Sequence, residues 1–137
     1  MDIDKQLKHA KQLVNQILCS QKYYFSELKF TTLNEIPVVY IIANKTTDEV
    51  LYVGRTVNAR RRLYTNHLHG KLNTARLKKY LINDTNLPDI HTADDAKKWI
   101  KENCYFQYLP IKNYKSRGYI EGLFGYLFEE KYIEQEH

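Results

Sequence analysis

A chain of 137 residues, 43% apolar and 27% charged, is long enough for one globular domain with one core. No apolar run approaches the ~18 residues of a membrane-spanning helix. The opening MDIDKQLKHAKQ lacks the basic-then-apolar layout of a secretory signal, so a cytoplasmic protein without membrane contact is expected. The net charge of +5 is unevenly placed: Arg55–Lys79 holds eight basic residues and no acidic one, a footprint for a polyanion.

Residues 3–18 place Ile3, Leu7, Ala10, Val14, Ile17 and Leu18 at helical spacing, which predicts an amphipathic helix. Its apolar stripe is expected to dock on the chain's own domain, with homodimerisation through this helix as the alternative. Residues 19–35 show no clear element, although Tyr23, Tyr24 and Phe25 are expected to pack. Cys19 and Cys104 lie far apart, form no metal-type spacing and read as reduced thiols. Val38–Ala43 and Val50–Val53 read as strands around the polar turn Asn44–Asp48. Asn58 can cap a helix running to about His69, with Gly70 as its stop. A second helix fits Thr74–Ile82, and 83–91, with Pro88, forms a loop. Thr92 can cap a third helix, with Asp94 and Asp95 in its first turn. Cys104–Leu109 reads as a strand, and a last helix runs from Ser116 to about Ile133. The pattern is α+β, with an N-terminal extension (1–35) preceding the main domain (36–137).

The hairpin and the segment after it carry a resemblance. VVY (Val38–Tyr40), YVG (Tyr52–Gly54) and the run RTVNARRRL (Arg55–Leu63), with Arg62 eight residues beyond Gly54, resemble the GIY-YIG nuclease domain. The resemblance covers roughly residues 36–131. It implies a small three-stranded antiparallel sheet flanked by helices, with the 92–103 helix as an insertion. It also implies a metal-dependent endonuclease acting on DNA with Mg²⁺ or Mn²⁺. Two departures stand out. Val38 replaces the first glycine, and Asn66 stands where the family's histidine follows the arginine by four residues.

Phosphodiester hydrolysis needs an activated water, neutralisation of phosphate charge and help for the leaving oxygen. Arg62 suits the second task, because a guanidinium binds phosphate oxygens in bidentate fashion. Glu121 is expected to bind the metal, as a lone carboxylate on an otherwise apolar helix. The glycines Gly118, Gly122 and Gly125 on that helix are expected to permit close approach to the sheet or a ligand. The later acids, including Glu129, Glu130, Glu134 and Glu136, read as solvated. Tyr40 and Tyr52 are the next pair. The resemblance makes Tyr40 the preferred proton acceptor, provided cations lower its pKa from about 10. At 100° per residue, His69 lies about 20° from Arg62 and His67 about 140° away. His69 is therefore the better-facing histidine unless the helix carries a one-residue irregularity, which would bring His67 round. Arg55, Arg60, Arg61, Lys71, Arg76, Lys78 and Lys79 are expected to contact DNA.

Overall fold

A computed structural model describes residues 1–136. In chain order the elements are α1 (Ile3–Cys19), β1 (Tyr23–Tyr24), β2 (Val38–Asn44), β3 (Val50–Thr56), a π-helix (Arg60–Leu68), α2 (Arg76–Ile82), α3 (Ala93–Asn103), β4 (Cys104–Pro110) and α4 (Tyr114–Phe128). The class is α+β. The sheet is antiparallel and has four strands in the order β1-β4-β2-β3, one more than the three expected. The additional strand is only two residues long and pairs Tyr23 with Phe106 and Tyr24 with Tyr105. Two residues are too few to leave an alternating pattern in a sequence. No helix among the described residues is long and apolar enough to cross a membrane.

Both faces of the central strand β2 are covered, which explains why VVYIIA reads as an unbroken apolar run. Val38, Tyr40 and Ile42 point into a cluster with Leu63 and Leu68 of the π-helix, Leu77 and Leu81 of α2 and Ile100 of α3. Val39 and Ile41 point the other way, toward Leu13 and Ile17 of α1 and Ile120 and Phe124 of α4. The result is three layers: α1 with α4, the sheet, and the π-helix with α2 and α3. Residues 1–35 thus share the core with the rest. Gln107 on β4 reinforces this by donating to the carbonyls of Leu18 and Ser20 at 3.2 and 2.9 Å.

Local signals explain most element ends. The Asp2 carboxylate accepts from the Lys5 amide at the start of α1, and Thr92 and Asp95 form a reciprocal capping box on α3. The Asn44 side chain accepts from the amides of Thr46 and Thr47, fixing the β2–β3 turn. Helix α4 is shorter than expected. It begins at Tyr114 under an Asn113 cap and ends at Phe128, where Glu129 adopts a left-handed conformation (φ 47°). The chain then turns back along β3. The amides of Lys131 and Tyr132 donate to the carbonyls of Val50 and Leu51 at 3.1 Å each, and the Val53 amide donates to Glu130 at 2.7 Å. Glu130 is therefore half-buried and paired rather than solvated, a partnership across 77 positions that no local pattern displays.

Candidate active site

The segment after β3 does not wind as an α-helix. Residues 60–68 form a π-helix, whose i→i+5 hydrogen bonding brings residues five apart onto one side. Asn58 still acts at its start, its side chain accepting from the Arg61 amide at 3.0 Å. The consequence is a change of histidine. His67, which an α-helix would turn away, is buried on the same side as Arg62, and its Nε2 lies 2.7 Å from the Tyr40 hydroxyl. His69, the expected candidate, is exposed and packs on Tyr64 at 4.5 Å, with lysines 97, 78 and 101 as its charged surroundings. The site does not include it. The wider turn brings His67 into contact with Tyr40 although the spacing from Arg62 is one residue longer than in the resembled pattern.

Tyr40 is fully buried (0% exposed), between His67 and the guanidinium of Arg62, whose Nε donates to the phenol oxygen at 3.4 Å. A Cβ at Gly54, its partner across β2–β3, would overlap the phenol oxygen and ring. The YVG glycine is therefore the absence of a side chain that Tyr40 requires. Burial pushes the Tyr40 phenol well above its ordinary range, and the opposing charge of Arg62 does not offset this. Arg62 acts in the expected lowering direction, and burial outweighs it. Burial likewise holds His67 down to about 3, so its imidazole is neutral. Its Nδ1 has no hydrogen-bond partner. The Tyr40 hydroxyl and His67 Nε2 share one hydrogen bond, whose direction follows the imidazole tautomer, while Arg62 donates to the same oxygen.

Tyr52 stacks near Tyr40 at 6.3 Å but reaches a different environment. It is 7% exposed and lines a cavity of ≈ 430 Å³ along the edge of β3, together with Arg76, Glu121 and the residues that follow α4. Its phenol is also raised by burial, with Arg62 and Arg76 opposing. Glu121 reaches this edge from α4 and pairs with Arg55 at 3.7 Å. Burial raises its carboxyl, while Arg55, Arg62 and Arg76 act together to lower it. Tyr52 on β3, Glu121 on α4 and the guanidinium groups of Arg62 and Arg76 thus lie close to one another by the β3 edge, with Tyr40 on the central strand behind them. Among the described residues no three His, Cys, Asp or Glu side chains gather as a metal-binding group. One carboxylate with water filling the other positions is nevertheless a donor set that Mg²⁺ accepts, and Glu121 fits it.

The eight basic residues separate by environment. Arg60 is held in the fold: its Nε donates to the Leu33 carbonyl at 2.9 Å and its guanidinium lies over the Phe30 ring at 4.3 Å. Lys78 is 2% exposed and its ammonium donates to the carbonyls of Leu68 and Gly70 at 2.7 Å each, closing the end of the π-helix. Both charges serve backbone carbonyls of the fold instead of projecting freely from it. Arg62 and Arg76 face the site, while Arg55, Arg61, Lys71 and Lys79 are exposed. Helix α4 is also less buried than its composition suggests. It buries Ile120 and Phe124 but exposes Tyr114, Tyr119, Tyr126 and Leu127. No protein family, curated protein or solved structure matches the chain.

Proposed function

We propose that this chain is an endonuclease that hydrolyses phosphodiester bonds in DNA with the help of a divalent cation. The observation that carries the reading is the meeting of Arg62, Tyr52 and Glu121 at one open edge, with Tyr40 and His67 packed behind. Arg62 and Arg76 bind the non-bridging oxygens of the scissile phosphate. Glu121 would hold Mg²⁺ or Mn²⁺, which when bound supplies charge neutralisation at that phosphate. Tyr52, the phenol that borders the cavity, orients the attacking water. Tyr40 and His67 act as positioning residues, because Tyr40 lies beneath the surface with its oxygen already engaged.

The burial of Tyr40 favours a second reading, in which the domain binds nucleic acid or recruits a partner without cutting. Cleavage of plasmid and branched DNA with Mg²⁺ or Mn²⁺, compared between wild type and Glu121→Ala, separates the two. Cutting that requires Glu121 supports the nuclease. Salt-sensitive binding without cutting supports the second reading.

A further inference from the structure

The cavity beside Glu121 has a feature that the chemistry at the phosphate does not use. Gly122 lies within α4, where glycine costs about 1 kcal/mol relative to alanine. A Cβ there would meet no atom within 4 Å. No neighbour in the fold therefore requires this glycine; what it adds is open volume in the cavity wall. At the rim stands Tyr126, 81% exposed and one turn further along α4. Tyr80 and Tyr132, stacked at 5.6 Å with planes 4° apart, form another part of the wall.

The cavity lining carries one arginine, Arg76, against the carboxylates of Glu121, Glu130 and Glu134. A phosphate is disfavoured beside Glu130 and Glu134. A flat, neutral, aromatic group with amino hydrogens suits them, because tyrosines stack on its faces and carboxylates accept from its edge.

Resting on the nuclease reading above, we propose that this cavity receives an unpaired nucleobase bearing an amino group, from the strand whose phosphate sits at Arg62. The preferred substrate is thus DNA with an unpaired cytosine, adenine or guanine next to the cleavage point, rather than a fully paired duplex. Tyr126 stacks on the base, and the open side of Gly122 leaves room for it.

The test is equilibrium binding of the full chain in EDTA, so that cleavage plays no part. The probes are a labelled duplex with one unpaired cytosine, the same duplex with one unpaired thymine, and the fully paired duplex. Wild type should bind the cytosine probe about tenfold more tightly than the paired one, within the range that one stacked base contributes, and more tightly than the thymine probe. Tyr126→Ala should erase that advantage and Tyr126→Phe should keep it. Gly122→Leu, which fills the cavity, should erase it while leaving paired-duplex affinity unchanged. Equal affinity of wild type for all three probes would overturn the inference while leaving the nuclease reading intact. So would a Tyr126→Ala loss that is the same on paired and unpaired DNA. If wild type binds no DNA at all, the nucleic-acid reading itself fails, and the inference with it.

Discussion

Tyr40 and Tyr52 stand on neighbouring strands with rings 6.3 Å apart and share one core cluster, yet only Tyr52 borders a cavity. Around Tyr40 the space is filled: His67 and Arg62 engage its oxygen, and Gly54 leaves it just enough room. Around Tyr52 the structure opens to a cavity bordered by Arg76 and Glu121. The first is arranged as a core is, by exclusion and satisfied contacts; the second keeps its charges accessible. The same side chain is thus enclosed in one place and borders a cavity in the other. The resemblance in the sequence instead prefers Tyr40 as the proton acceptor.

The sharpest way to break this comparison is at the open side. Glu121→Gln should cut the cleavage rate by about a hundredfold or more, the scale of losing one electrostatic contact to a transition state, while DNA affinity in EDTA persists. Full activity of that variant in single-turnover assays would remove Glu121 from the chemistry.

The filled side should announce itself through acid. His67 is neutral in the fold, held down to about 3, and titrates near 6.5 when unfolded. Its depressed value means that the unfolded chain takes up a proton first as pH falls. The contribution is fully present above pH ~6.5 and is lost at up to about 1.4 kcal/mol per pH unit below it, as pH falls toward the folded value. Denaturant titrations between pH 7 and 4 should show this slope, and His67→Gln should flatten it. An unchanged slope would mean that another group governs acid stability.

Paired substitutions sharpen the contrast further. Tyr40→Phe leaves His67 Nε2 without its partner in the interior and should cost about 1–3 kcal/mol of stability. Tyr52→Phe should cost less stability and more cleavage rate. The reverse ranking would exchange the roles assigned to the two phenols. The smallest effects separate neighbouring lysines. Lys78→Gln should destabilise by about 1–3 kcal/mol, because it exposes two carbonyls to a missing donor. Exposed Lys79→Gln should stay within about 0.5 kcal/mol and, if Lys79 contacts phosphate, reduce the salt slope of duplex binding by about 0.9.

What the sequence revealed was what local pattern controls. The strands β2 and β3 are β-branched and aromatic, Thr92 and Asp95 stand at capping-box spacing, and Arg62 comes soon after the hairpin. What it concealed depends on partners remote in the chain. Charge alone does not distinguish Lys78, tied to two carbonyls, from exposed Lys79. The choice of His69 over His67 rested on 100° per residue, the correct step for an α-helix and the wrong one for a π-helix. The five-residue interval between Arg62 and His67 was the available signal. It becomes informative only once the wider turn is considered. Strand β1 and the Glu130–Val53 contact had no local signature at all.

The return of the chain after α4 has a bearing on solubility. Strand β3 ends the sheet, and an uncovered border of that kind is a template for pairing with another molecule. Here the amides of Lys131 and Tyr132 and the carboxylate of Glu130 occupy three of its backbone positions. They form a short clasp where a longer strand would otherwise be needed. A protein shortened to end at Phe128 would keep its three layers but present that border bare. It should therefore fail first by self-association, seen as concentration-dependent light scattering, before any loss of helical circular dichroism.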